Sequence, residues 1–183
     1  ASPTQVAVTL SAVNDPPTLT TVTTFTGGTE DTPYEITYAQ LTANGNEADP
    51  ENDPISFRID AVSTGTLEKW NGSSWAAVTA GSTRIATGDK VRWTPAANAN
   101  GTLNAFTISA YDGALFSASP TQVAVTLSAV NDPPTLTTVT TFTGGTEDTP
   151  YEITYAQLTT NGNEADPESD PISFRIDAVS TGT

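Results

Sequence analysis

Residues 118–134 read ASPTQVAVTLSAVNDPP, and residues 1–17 carry the same letters in the same order. The match sets a period of 117 residues and runs on to Thr183. Over the 66 overlapping positions only two differ, Ala43 against Thr160 and Asn52 against Ser169. A unit of that length is too long for one turn of a solenoid and suits a complete small domain. Within the stretch, Val123, Val125 and Leu127 alternate with Gln122, Ala124 and Thr126, which predicts a half-buried strand over 121–129. Val130-Asn131-Asp132-Pro133-Pro134 then ends it. Two prolines cannot donate to a ladder, and each holds φ at about −65°, so pairing stops at a short, stiff joint.

Outward from these marks, the chain divides into the last strand of a preceding repeat at 1–13 and a linker at 14–17. A complete repeat follows at 18–130, then a second linker at 131–134 and the first half of the next repeat at 135–183. Both ends of the chain fall inside repeats, so the sequence is expected to be a window on a longer polypeptide. Such a window carries neither a leader nor a membrane-spanning run, and none is found.

Alternation marks further strands at Tyr34, Ile36 and Tyr38, and at Ile55, Phe57 and Ile59. Leu67–Trp70 and Trp75–Val78 flank Asn71-Gly72-Ser73-Ser74, a hairpin signal because Asn-Gly tolerates positive φ. Val91 with Trp93 and Phe106 with Ile108 supply core strands, and 18–25 reads as a first strand. No stretch sustains a 3.6-residue period, so almost no helix is expected. The fold class is all-β: tandem immunoglobulin-like or cadherin-like β-sandwich repeats of 117 residues, each with seven or eight short strands.

A hydrophobic content of 36% suits a sandwich, which buries one face of each strand. Net charge is −15 with six basic residues, so nucleic acid and anionic membrane are poor partners, and cations are good ones. Without cysteine there is no disulfide staple, and bound metal is the natural substitute in a small extracellular domain. Without histidine or cysteine there is no nucleophile–base pair, and acidic loops recurring in each copy suit structure better than catalysis, so an enzyme is not expected.

The densest chemistry is Asn46-Glu47-Ala48-Asp49-Pro50-Glu51-Asn52-Asp53, which recurs at 163–170. Four carboxylates in seven residues repel one another unless neutralised. The two-residue spacing of Asp49, Glu51 and Asp53 lets alternate side chains converge, and hard oxygen donors on a loop select calcium over zinc or copper. A solvated acidic loop is the plain alternative. Three more features add donors: Glu30-Asp31 in a loop after the first strand, Asp112 where a strand ends, and Asn14-Asp15 in the linker.

Taken in order, Glu-Asp-Thr-Pro (30–33), Ala-Asp-Pro-Glu-Asn-Asp-Pro-Ile-Ser-Phe (48–57), Trp-Thr-Pro-Ala-Ala-Asn-Ala-Asn-Gly-Thr (93–102), Tyr-Asp-Gly (111–113) and Val-Asn-Asp-Pro-Pro resemble the bacterial cadherin-like tandem repeat. The resemblance spans the whole period. It implies a large, secreted, repetitive surface protein, an adhesin or biofilm protein, with Ca2+ at the domain joints. It further implies that Glu30, and Glu147 in the next copy, act from the domain before a joint. Asn131 and Asp132 would act from the joint, with Asp166, Glu168 and Asp170 from the domain after it. At the preceding joint the roles fall to Asn14, Asp15, Asp49, Glu51, Asp53 and Asp112. Ala12 and Ala129 stand where the cadherin linker is acidic, and Pro16 and Pro133 where it has a second Asn, which implies one or two ions per joint.

The function expected is a stalk repeat of a calcium-stiffened bacterial surface adhesin, extracellular, projecting a distal binding region. Its partners are neighbouring repeats of the same chain, with other copies through strand exchange, and no membrane insertion. Each repeat would span roughly 35–45 Å. Two alternatives stand beside it. Trp70 and Trp75 at a hairpin tip could stack on a carbohydrate, although Trp93 belongs to a core. Residues 1–13 could pair with another chain's incomplete domain to build a filament. Asn71-Gly72-Ser73 and Asn100-Gly101-Thr102 fit a glycosylation acceptor pattern and are read as turns.

Overall fold

A computed structural model describes residues 3–11 and 13–180. Ala12, singled out above, lies outside the described residues, as do residues 1 and 2 of the expected first strand. The chain forms two compact units, Ala1–Ser128 and Ala129–Thr183.

The first unit is a sandwich of two sheets, as the alternation predicts. One sheet holds five strands in the order β1 (Phe25–Thr29), β9 (Thr121–Ser128), β8 (Gly101–Tyr111), β3 (Ser56–Val62), β6 (Arg84–Ile85). The other holds β2 (Tyr34–Thr37), β7 (Lys90–Thr94), β4 (Thr66–Trp70) and β5 (Trp75–Ala77). All pairings are antiparallel except β1 with β9, where Phe25 faces Val125 and Thr29 faces Ser128. The inward faces meet in one core of Phe57, Ile59, Trp93, Val91, Phe106, Ile108, Val123, Val125 and their neighbours, all fully buried. A bulge between Asn104 and Phe106 breaks the two-residue rhythm of β8, so Ala105 and Phe106 are both buried. The Asn71 carboxamide accepts from the N–H groups of Ser73 and Ser74, closing the β4–β5 turn with Gly72 at φ +99°.

Three expectations are corrected. Tyr38 does not extend a strand: it opens a seven-residue helix, α1 (Tyr38–Asn44). The Thr37 hydroxyl accepts from the Gln40 N–H, and the Gln40 side chain accepts from the Thr37 N–H, a reciprocal cap that starts the helix where β2 ends. Replacing Thr37 with alanine removes the hydroxyl half, leaves the Gln40 side chain its backbone N–H, and is expected to cost about 1 kcal/mol, read as a lower urea midpoint at unchanged slope. Residues 18–25 do not form one continuous strand. Two isolated bridges, Thr18 to Ala48 and Val22 to Gly45, flank the Asn46 side chain, which accepts from the N–H groups of Thr20 and Thr21 in place of a ladder. Residues 3–11 form no strand, although they match β9 letter for letter from 120 to 128. In β9 the backbone pairs with β8 and β1 on either side, and extended conformation is held by those neighbours rather than by its own letters.

The second unit shows the same dependence. The helix α2 (Tyr155–Asn161) keeps its cap from Thr154 and Gln157, and the bridges Thr135–Ala165 and Val139–Gly162 reproduce the first copy. Asn163 again accepts from Thr137 and Thr138. Segments matching β1, β2 and β3 carry no strand, because among the described residues this copy contains no counterpart of β7, β8 or β9. The two differing positions are both absorbed locally. Thr160 donates its hydroxyl to the Ala156 carbonyl, and Asn52 and Ser169 both sit at positive φ, +61° and +63°.

Candidate metal centre

The loop after α1 is built around Asp49. Its Oδ1 accepts from the N–H groups of Glu51 (3.0 Å) and Asp53 (2.9 Å), and Asn52 takes the left-handed conformation that lets the chain double back. Asp49 thus turns one oxygen inward to fold the loop that carries Glu51 and Asp53.

That loop is joined to the linker and to the end of β8. The Asp15 N–H donates to Glu51 Oε2 at 3.0 Å. The Asn14 amide donates to Asp112 Oδ2 at 3.0 Å, across 98 residues of sequence. Asp112 Oδ1 accepts from the N–H groups of Ala114 (2.6 Å) and Leu115 (2.7 Å). The Leu115 bond chiefly, with those from Ala114 and Asn14, holds the Asp112 carboxyl below the usual range against an opposing push from burial. Asn14, Asp15, Asp49, Glu51, Asp53 and Asp112 thus belong to one end of the first sandwich.

Glu30 and Asp31 belong to its other end. The Glu30 N–H donates to the Ser128 carbonyl where β9 finishes, whereas Asp112 follows Tyr111 at the far end of β8. The eleven residues of β8 separate the two by about 35 Å. The Glu30 side chain is buried and accepts from the Asn100 amide at 3.1 Å. Asp31, at φ +56°, accepts from the Asn98 N–H at 2.9 Å.

In the second unit the linker and loop repeat the arrangement. The Asp132 N–H donates to Glu168 Oε2 at 2.9 Å, and Asp166 Oδ1 accepts from Glu168 (3.1 Å) and Asp170 (2.9 Å). The Asn131 amide donates to the Asp132 carbonyl at 3.4 Å. Glu147 is exposed, its carbonyl accepting from the Thr149 hydroxyl.

One acidic residue inside the predicted stretch, but outside the predicted donor set, stands out. Glu47 folds back so that its Oε2 fills the space a Cβ on Gly45 would occupy, 2.3 Å from that point, with the Leu41 carbonyl at the end of α1 3.0 Å from it. This oxygen and Asp49 Oδ2 are buried without a hydrogen-bond partner. Burial pushes the Glu47 carboxyl above the usual range. Glu164 repeats the placement against Gly162. A carboxylate beside helix-terminal carbonyls is electrostatically adverse unless a cation shares the place. The glycine two residues before the glutamate is the only trace of this in the sequence.

The basic side chains are spent elsewhere. Arg58 pairs with Asp60, Lys69 with Asp89, Lys90 with Glu35, Arg92 with Glu68 and Arg175 with Asp177, while Arg84 stacks on Tyr111 at 3.8 Å. The hairpin rings are likewise engaged: Trp70 and Trp75 meet edge to face, with Lys90 5.5 Å from the Trp70 ring and 5.0 Å from the Trp75 ring, and Arg92 4.6 Å from Trp75.

Two packed sheets around one core define an immunoglobulin-like β-sandwich. The chain belongs to the bacterial Ig domain family, whose profile matches residues 14–126. No curated protein and no solved structure matches the chain.

Proposed function

We propose that this chain is a stalk segment of a secreted bacterial surface adhesin of cadherin-like type, stiffened by calcium at its domain joints. The observation that carries the reading is that, among the described residues, no ion pair joins a basic side chain to the acidic loops at 46–53 and 163–170: five basic residues pair with other carboxylates and Arg84 stacks on Tyr111. The donors are all oxygen, and buried oxygens of Glu47, Asp49, Asp132, Glu164 and Glu168 have no hydrogen-bond partner, which fits a hard divalent ion. At the linker end, Asp15, Asp49, Glu51, Asp53 and Asp112 would hold it, with Asp132, Asp166, Glu168 and Asp170 in the second copy. Glu30 and Asp31, with Glu147 in the second copy, would serve the opposite end of each sandwich.

The ion supplies charge neutralisation and ties the linker to the sandwich; the chain's own residues set the loop shape that receives it. A rod with sites at both ends of each unit passes tension along its length and needs no catalytic group. No helix among the described residues is long and apolar enough to cross a membrane.

Calorimetric titration of the metal-free chain with calcium chloride tests it, beside thermal melts in calcium and in chelator. Binding heat is expected. At a hundredfold excess of ion over its dissociation constant, stability should rise by about 2.7 kcal/mol, and Asp49→Asn with Asp112→Asn should lose most of that gain. Solution scattering should show a more extended particle with calcium. Absent heat together with identical melts and scattering profiles would sink the proposal.

A further inference from the structure

A cavity of about 720 Å³ opens at one edge of the first sandwich, lined by none of the acidic-loop residues. One wall is the β4–β5 hairpin, at the edge of the four-stranded sheet. The other comes from the segments flanking β6, at the edge of the five-stranded sheet. The volume falls in the range of about 300–1,000 Å³ usual for small-molecule sites. Small residues keep the space open. Ala76 and Ala77 are exposed, and a Cβ at Gly72 or Gly88 would have nothing within 4 Å of it.

The lining sets one aromatic ring beside donors and acceptors. Trp70 is held edge to face by Trp75 at 5.3 Å, so Trp75 supports the wall that Trp70 forms. Lys69 Nζ lies 2.7 Å from Asp89 Oδ2 and donates to the Arg84 carbonyl at 2.7 Å. The Ala86 N–H donates to the same Asp89 oxygen at 2.9 Å, and these bonds leave Oδ1 as an acceptor. Both side chains of the ion pair are 29% exposed, so a ligand can reach them. The Asn71 oxygen is taken by the N–H groups of Ser73 and Ser74, and one amide hydrogen goes to the Ser74 hydroxyl. Its second amide hydrogen is left to donate.

From this we infer that the cavity binds a neutral saccharide, with a ring face against Trp70 and hydroxyl groups on Asp89, Lys69 and Asn71. A hydroxyl both donates and accepts, so neighbouring hydroxyls satisfy the carboxylate and the two nitrogen donors together. The C–H face of a pyranose is apolar and faintly positive, and it matches the negative face of an indole. Lys69 and Asp89 cancel in charge, and a net charge of −15 disfavours an anion. A purely aliphatic ligand would strip water from Asp89 and give nothing back. The site lies apart from the acidic loops and needs no calcium. It makes the repeat adhesive in its own right, beyond its role as a spacer.

The nitrogen-labelled chain is titrated with cellobiose, maltose, lactose and diacetylchitobiose, in calcium and in chelator, and followed by amide and indole resonances. At least one of these sugars is expected to shift the Trp70 indole and the Ala76 and Asp89 amides. The expected dissociation constant is about 1 mM, equal in both buffers. Trp70→Ala should weaken binding by about tenfold or more. Ala76→Leu, at an exposed position, narrows the cavity without touching a polar group and should do the same, with unchanged spectra elsewhere showing that the fold is kept. Sialyllactose should bind more weakly than lactose. No shift at those residues with any of these sugars overturns the inference, as does binding that survives both substitutions. Binding confined to the calcium buffer overturns it too, because the acidic loops would then hold the sugar. Sugar binding without any calcium heat supports this site and counts against the calcium-stiffened stalk alone.

Discussion

Replacing Trp93 with alanine is expected to lower the unfolding free energy by about 3–5 kcal/mol. The side chain is fully buried at the centre of the four-stranded sheet, facing Tyr34 on one neighbour and Leu67 on the other. Deleting the indole removes its transfer energy and leaves a cavity that two paired sheets cannot close by small shifts. It also strands the Thr64 carbonyl, which accepts from the indole N–H at 2.7 Å. Domains of this kind hold roughly 5–15 kcal/mol in total, so the variant sits near the edge of folding at body temperature. Urea denaturation followed by far-ultraviolet circular dichroism measures it. A loss under about 1 kcal/mol would mean that the indole is not the centre of the core.

Gly65→Ala should cost about 3 kcal/mol, large for the addition of one methyl group. Gly65 turns the chain from β3 into β4, and so from one sheet to the other, at φ +65°. A Cβ there would lie 2.2 Å from the Thr94 carbonyl oxygen and 3.1 Å from the Pro95 Cα, both backbone atoms that cannot swing aside. It would also lie 3.0 Å from Trp93 Nε1, so relief of the clash pulls on the indole hydrogen bond. The two substitutions therefore share a cause. The double variant should fall short of the sum of the singles by at least about 0.5 kcal/mol, and strict additivity would show that turn and indole are independent.

Most of the sandwich could be read from the chain because alternation is a direct image of burial: Val123, Val125 and Leu127 face the core as their spacing requires. Alternation says which face is buried, but not whether a partner strand is present. Residues 3–11 read as a strand on the page and are none in the structure, for want of β8 and β1 beside them. The helix α1 escaped because its seven residues bury only Leu41, too few to print a period. Its legible sign was Thr37 followed three residues later by Gln40. At the acidic loops, composition and spacing marked the right stretch. They could not show that Asp49 spends one oxygen on the backbone, which follows from the left-handed bend at Asn52, or that Glu47 folds back into the space Gly45 leaves by lacking a Cβ.

The helix, bridges and acidic loop persist in the second copy without a closed sandwich around them, and this bears on the order of assembly. Their bonds join residues some 25 to 36 apart, as from Thr138 to Asn163 or Asp132 to Glu168. Closure of the full sandwich ties Leu19 to Thr121 across 102 residues. The shorter loops cost less chain entropy, so they are expected to form first, with the long-range pairing after them. Each repeat would then emerge with its acidic loop already shaped, and φ-values near one would fall on α1 and the Asn46 clamp rather than on β9.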